Sequence, residues 1–136
     1  MIRALALACL LAAPACAQDG RDIPLAEWRA MTEGRTVIYR IGPEVFARET
    51  YHPGGQVVSI LYADGTCLEG TWRFIEPASA YCFSWPNGKF CYRHMEDAQG
   101  LYVLPVDESG ARDARWEIQR IEGISERTVS CEIPVS

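Results

Sequence analysis

The residues of this chain that most suggest chemistry are two cysteines and a histidine within one short segment: Cys82, Cys91 and His94. These residue types serve zinc, redox and haem sites. The spacing argues against all three. A thioredoxin-like pair needs only two intervening residues, and c-type haem attachment needs a histidine directly after a cysteine. In a strand, Cys91 and His94 point to opposite faces and would not share a metal ion. We therefore expect no metal ligands and no cofactor.

The same segment is better explained as a hairpin closed by a disulfide. Trp85-Pro86-Asn87-Gly88 suits a turn, because proline presets φ at the second position and glycine favours the exit. That turn places Cys82 opposite Cys91, with Cβ atoms near disulfide distance. The other face then carries aromatic side chains, namely Tyr81, Phe83, Phe90 and Tyr92. Trp85, at the tip, is either exposed as a partner contact or folded back over this aromatic face.

The N-terminal segment predicts export. Residues 1–17 contain Arg3, a short apolar run and small residues up to Ala17, which is the pattern of a secretory signal peptide. The apolar run is shorter than the roughly 20 residues of a membrane-spanning helix. We expect a periplasmic or secreted protein in which residues 18–136 form a single β-rich domain.

Cys16 permits a second interpretation, a lipoprotein anchored through this cysteine. It is disfavoured because Pro14 lies next to the required cut and no leucine precedes the cysteine by three residues. In both interpretations four of the six cysteines remain, and an even number in an exported chain predicts disulfides. With Cys82 paired to Cys91, elimination pairs Cys67 with Cys131, although the sequence leaves other connectivities open.

The composition excludes two classes of partner. The chain has 136 residues and a net charge of −5 at pH 7, with 18 acidic and 13 basic side chains. An acidic exported domain lacks the basic surface that nucleic acids or anionic membranes attract. We expect a monomer that binds no nucleic acid and does not span a membrane.

The elements that would position these residues are one helix and many short strands. Residues 24–34 predict a helix that ends at Gly34, and its Trp28 is expected to pack as a plug on the main body. Runs rich in β-branched and aromatic residues predict eight or nine strands. These lie at 36–41, 45–52, 56–63, 66–76, 80–84, 89–95, 101–106, 114–121 and, as the ninth, 127–133.

Short links between these strands favour an antiparallel meander, because parallel strands need long crossovers. A sheet with one apolar face must curl or stack to bury it. The predicted fold is therefore all-β with one short N-terminal helix, in which about eight antiparallel strands form a small lipocalin-like barrel or sandwich.

Asp64-Gly65 predicts a two-residue hairpin turn between the third and fourth strands. Its pairing places Leu61 opposite Leu68 and gives one apolar face, made of Val57, Leu61, Leu68 and Trp72. Gly70 falls opposite Ser59 on this face, where the missing side chain admits a neighbouring ring.

No catalytic constellation emerges, so we expect a non-enzymatic protein. The two histidines, His52 and His94, accompany no serine elbow and no paired-histidine motif. Asp64 and Glu69 resemble a glycosidase carboxylate pair, but a turn residue and a surface residue explain them better. The expected activity is binding of a small apolar ligand or an envelope protein. The alternative is a cell-envelope enzyme, with a histidine beside a carboxylate, or an inhibitor of a wall-active enzyme, with Trp85 protruding.

Several landmarks together resemble a known family. They are Trp28 in the short helix, Gly34-Arg35-Thr36, Tyr51-His52-Pro53-Gly54-Gly55, Asp64-Gly65, Gly70-Thr71-Trp72, Cys82-Phe83-Ser84-Trp85 and Cys91. In this order they are similar to domain-of-unknown-function family 995, a family of small exported bacterial proteins. The resemblance covers about Leu25 to Cys91 and implies export and a β-rich fold. It implies no activity, and Cys67 and Cys131 lie outside its pattern.

Overall fold

The computed structural model describes residues 20–131. The predicted signal peptide 1–17, with Cys16, and the C-terminal residues 132–136 lie outside this range. Within it the chain is all-β with one short helix, which confirms the predicted fold class. None of the helices in the described range has the length and apolar character needed to cross a membrane.

The helix and the strands follow one another along the chain with short connections, and most strand positions match the prediction. They are β1 (Arg21–Asp22), α1 (Leu25–Thr32), β2 (Thr36–Ile41), β3 (Glu44–Tyr51), β4 (Val57–Tyr62), β5 (Cys67–Ile75), β6 (Ala80–Trp85), β7 (Gly88–Asp97), β8 (Gly100–Val106) and β9 (Gln119–Ser125).

Strands β2 to β9 close into an eight-stranded antiparallel barrel, which decides between the barrel and the sandwich. Each of these strands pairs with the next along the chain, and β9 also pairs with β2. The two-residue β1 adds to β7 outside this ring. Closure pairs both edges of the meander, so the long strands leave no open edge for another chain.

Helix α1 closes one end of the barrel. Pro24 precedes it in extended conformation, and Gly34, with φ of +72°, follows it. Its Trp28 is 0% exposed and contacts the inward-facing rings of Tyr51 and Tyr81 edge-on, at centroid distances of 5.8 and 6.1 Å. Trp28 therefore packs as the predicted plug, at the end where β3 finishes and β6 begins.

The β6–β7 hairpin has the predicted register. Cys82 lies opposite Cys91 and Phe83 opposite Phe90, and the strands turn between Trp85 and Gly88. Tyr81 and Phe83 are buried in the barrel interior, where Tyr92 packs against the same core. The aromatic face of the hairpin is thus the inner wall of the barrel.

The predicted register of the β4–β5 hairpin is wrong by one residue. The Tyr62 amide donates to the Thr66 carbonyl at 2.8 Å, so the turn contains three residues and ends on Gly65 with φ of +90°. Ile60 therefore lies opposite Leu68, and Val58, not Ser59, opposite Gly70. A register shift of one residue moves every side chain of a strand to the opposite face of the sheet.

This register shift changes which residues face inward on β4 but not on β5. Val58 and Ile60 point into the barrel, whereas the predicted core residue Val57 is 48% exposed. On β5 the predicted inward residues are correct, since Trp72 is buried and Leu68 packs against the core.

The C-terminal strands also differ from the prediction. The segment 107–118 is a loop except for an isolated bridge at Arg112, and β9 begins at Gln119 rather than at residue 114. The Asp107 carboxylate accepts hydrogen bonds from the Ser109 and Ala111 amides, and such local bonds compete with strand formation.

The described part of the predicted ninth strand, 127–131, is not a strand but passes over the outside of the barrel. There the Val129 amide donates to Thr50 Oγ1 at 2.8 Å. The remainder of that prediction lies outside the described residues.

Candidate functional site

An open cavity of about 740 Å³ lies inside the barrel at the end opposite α1. Its mouth is bounded by the β4–β5 turn at Asp64, the β6–β7 turn at Asn87 and the loop before β9 at Glu117. Binding sites for small molecules have volumes of roughly 300–1,000 Å³. The barrel thus has one end closed by Trp28 and one end open around a cavity of ligand size.

Aromatic side chains form most of the inner wall. Because alternate residues of a strand face one side, the inward-facing residues near the open end of the barrel line the cavity. Tyr39 comes from β2, Tyr62 from β4, Phe83 from β6 and Tyr92 from β7. The wall therefore combines apolar ring faces with a few phenolic hydroxyl groups.

One carboxyl group, that of Glu49, lies at the inner part of the cavity. On β3 the inward residues are Ala47, Glu49 and Tyr51, all buried, and Glu49 is only 5% exposed. The Tyr39 hydroxyl donates to Glu49 Oε1 at 2.9 Å. Burial disfavours the charged form and raises the pKa of Glu49 to about 7. Glu49 therefore exchanges its proton near neutral pH.

The tyrosines around Glu49 remain neutral phenols. Burial, followed by the charge of Glu49, raises the pKa of Tyr51, Tyr62 and Tyr92 above the ordinary value. Burial and Glu49 act in the same direction on Tyr39. These side chains can orient a polar group of a ligand, but they do not neutralise a charge.

The charged residues at the mouth are exposed. Asp64, Arg115 and Glu117 border the opening, and Arg115 forms an ion pair with Asp113 at 2.7 Å. Beside them Trp116 is 52% exposed and meets the Phe90 ring edge-on at 5.8 Å. The mouth therefore presents two carboxylates, one guanidinium group and an exposed indole.

Trp85, predicted either to be exposed as a partner contact or to fold back over the aromatic face, folds back towards the barrel. Its ring lies parallel to Phe83, with centroids 6.0 Å apart, and covers Gly70. A Cβ atom on Gly70 would lie 2.6 Å from Trp85 Cε3 and 2.4 Å from the Ser84 carbonyl oxygen, so only glycine fits. Gly70 admits a neighbouring ring as predicted, and Trp85 lines the cavity mouth.

The four cysteines of residues 20–131 form two disulfides, Cys82–Cys91 and Cys67–Cys131, the pairing that the sequence favours. Cys82 and Cys91 are buried on the outer side of the barrel, in a small cluster with Ala80 and Val106. The bonds stabilise the domain, and such bonds are typical of proteins that fold outside the reducing cytoplasm.

His94 faces the barrel interior, away from Cys82 and Cys91. It is buried between Tyr81 and Trp28, with both ring centroids 3.9 Å from its own. Neither of its nitrogens has a hydrogen-bond partner among the described residues. Burial lowers the pKa of His94 well below its ordinary value, so the ring is neutral.

His52 lies near the closed end and shares a hydrogen bond of 2.8 Å between its Nε2 and Ser59 Oγ. Ser59 is fully buried, so this hydroxyl is not accessible as a nucleophile. Within residues 20–131 neither His52 nor His94 forms a hydrogen bond or ion pair with a carboxylate. The arrangement expected for the enzyme alternative is thus not formed by these two side chains.

The carboxylates considered from the sequence lie elsewhere. Asp64 accepts a hydrogen bond from the Thr66 amide within its turn, at 2.8 Å, and Glu69 is exposed on β5. Glu49, the one buried carboxyl group at the cavity, was missed. Its signal is the alternation Ala47, Glu49, Tyr51, which places a carboxylate on an otherwise apolar face.

Across the described residues, no group of three His, Cys, Asp or Glu side chains is close enough to hold a metal ion. Comparisons with protein-family models, curated proteins and solved structures found no match to this chain. Functional inference therefore depends on the cavity itself.

Proposed function

We propose that this protein is an exported, non-enzymatic binding module that holds a small, largely apolar ligand inside its barrel. The observation that carries the proposal is the open, aromatic-lined cavity of about 740 Å³. An eight-stranded up-and-down barrel either fills its interior with side chains or holds one small ligand, as lipocalins do. Here the interior is filled near Trp28 and open at the other end.

Export to the periplasm or the medium, with a mature chain beginning at Gln18, belongs to the same proposal. It is supported by the N-terminal sequence pattern and by the two disulfides. Membership of domain-of-unknown-function family 995 is proposed on the motifs between Leu25 and Cys91.

Native mass spectrometry tests the ligand. Protein purified from the exported fraction of its own cells is expected to carry a bound mass that is lost on denaturation, and the denatured mass reports where the mature chain begins. Leu68→Phe, which narrows the cavity, is expected to reduce the bound fraction severalfold. Val57→Phe, on the exposed side of the neighbouring strand, is the matched control and should retain it. Equal occupancy in the two variants would place the ligand outside the barrel.

A further inference from the structure

Glu49 has no cationic partner in the part of the chain that the structure describes. Its hydrogen bond comes from the neutral hydroxyl of Tyr39, and none of the ion pairs of the described residues includes it. Burying a carboxylate without a counter-charge is costly, because the charge loses its hydration. A group kept at this cost beside an open cavity is a candidate for ligand recognition.

The surroundings of Glu49 favour a positive ligand. Aromatic faces carry negative potential and attract ammonium groups within about 6 Å of the ring centroid. Phe83, Tyr39, Tyr62 and Tyr92 line the same cavity, so a cation that reached Glu49 would be enclosed by rings.

An anionic ligand would find no comparable partner. Arg115 is the single basic residue along the described cavity lining, and it lies at the exposed mouth, paired with Asp113. Asp64 and Glu117 border the same opening, so the field at the mouth also favours cations over anions.

From this geometry we propose that the cavity selects an apolar molecule carrying a protonated amine, with the Glu49 carboxylate as its counter-ion. The inference rests on the proposed function, because it requires the cavity to be a ligand site. The amine pairs with the carboxylate at the inner part of the cavity, and the apolar portion of the molecule fills the space towards Trp85.

The pairing gives binding a defined pH dependence. The titratable groups that face Glu49 are Tyr39 on β2, Tyr51 on β3, Tyr62 on β4 and Tyr92 on β7, all phenols that stay neutral. Among Glu49 and these phenols, only Glu49 changes charge between about pH 5.5 and 8.5, while an alkylamine stays protonated throughout. Amine affinity therefore rises with pH over this interval.

Three matched probes test the proposal by isothermal titration calorimetry: 4-phenylbutylamine, 4-phenylbutanol and 5-phenylpentanoic acid. The amine is expected to bind about tenfold more tightly than the alcohol at pH 8, because a charged hydrogen bond replaces a neutral one. Glu49→Gln, which keeps the side-chain shape and an oxygen for the Tyr39 bond, should reduce amine affinity to that of the alcohol. Glu69→Gln, on the exposed side of β5, should change neither.

The outcomes separate this inference from the proposed function. If the amine and the alcohol bind equally to the wild-type protein and to Glu49→Gln, and Leu68→Phe weakens both, the cavity binds ligands but the role of Glu49 is wrong. If the acid binds best, or amine affinity falls with rising pH, the inference is also wrong. If none of the three probes binds, the inference fails, and native mass spectrometry decides on the proposed function alone. Thermal unfolding monitored by circular dichroism confirms that each variant is folded.

Discussion

At the scale of single residues, the interior of this barrel holds two ionisable side chains that disfavour charge. Glu49 lies on the cavity side and His94 lies on the side closed by α1. Glu49 becomes charged at high pH and His94 at low pH, and burial of either charge destabilises the folded state. The folded state is therefore expected to be most stable between the two titrations, near neutral to mildly acidic pH.

For Glu49, the pKa is raised from an ordinary value of 4.5 to about 7 by burial. The folded state then binds the proton more tightly than the unfolded state, so the contribution of Glu49 to stability is fully present below about pH 4.5 and is lost as pH rises to about 7. The shift corresponds to about 3 kcal/mol. Glu49→Gln should match the wild-type free energy of unfolding at pH 5 and exceed it by up to this amount at pH 8.5. Urea unfolding at both pH values measures the difference, and a constant difference would contradict the raised pKa.

For His94, burial lowers the pKa, so the unfolded state binds the proton more tightly. Stability is then fully present above about pH 6.5 and falls by about 1.4 kcal/mol per pH unit below it, as long as the buried ring stays neutral. His94→Phe and His94→Gln should both reduce this decline between pH 7 and pH 5, because neither side chain titrates.

Phenylalanine also removes two buried nitrogens that lack partners, whereas glutamine introduces a buried amide. The Phe variant should therefore be the more stable of the two at pH 7. A pH profile as steep as the wild-type profile in both variants would show that His94 is not the group responsible.

At the scale of elements, the turns decided which sequence inferences were correct. The β6–β7 hairpin was predicted in the correct register because Pro86 and Gly88 restrict the turn and the opposed cysteines require the same pairing. The β4–β5 hairpin lacked such a second constraint. Asp64-Gly65 is compatible with two-residue and three-residue turns, and the three-residue turn formed, with Gly65 at positive φ.

The two disulfides should contribute unequally to stability. Cys67–Cys131 closes a loop of 64 residues, whereas Cys82–Cys91 closes one of 9. Loop-closure entropy predicts a loss of about 4 kcal/mol for Cys67→Ser with Cys131→Ser, and about 3 kcal/mol for Cys82→Ala with Cys91→Ala. Urea unfolding of the two double variants measures both losses.

Hydrogen exchange adds a local test. In the Cys67→Ser and Cys131→Ser double variant, the Val129 amide should exchange faster, because the segment that covers Thr50 is released. Unchanged protection at Val129 would show that the disulfide does not hold that segment.

At the scale of the whole molecule, closure of the meander creates the site. Most residues around the cavity lie on strands that an open sheet would expose to solvent, and the pairing of β9 with β2 encloses them. Trp28 fills one end, so the open volume is concentrated at the other. The barrel therefore supplies rigid walls, and the loop at 107–118 with its exposed Trp116 is the irregular part of the mouth.

Features that depend on residues close together in the chain could be predicted from the sequence. The positions of β2 to β8 follow from β-branched and aromatic runs, the Cys82–Cys91 bond follows from one turn, and the plug follows from the helical spacing around Trp28. Each of these features depends on residues close together in the chain, or on residue types that strongly favour strand, helix or turn. Cys67–Cys131 was reached only by elimination.

The features on which the proposed function depends appear only in the tertiary structure. The alternation around Glu49 places it on an apolar face, but only closure of the barrel buries the carboxyl group and raises its pKa. Likewise, Trp85 turns inward because Gly70, fifteen residues earlier, leaves room for its ring. Burial and ring contacts arise between strands that are distant in the chain. The preference of a residue type for strand, helix or turn does not specify which distant side chains will contact each other.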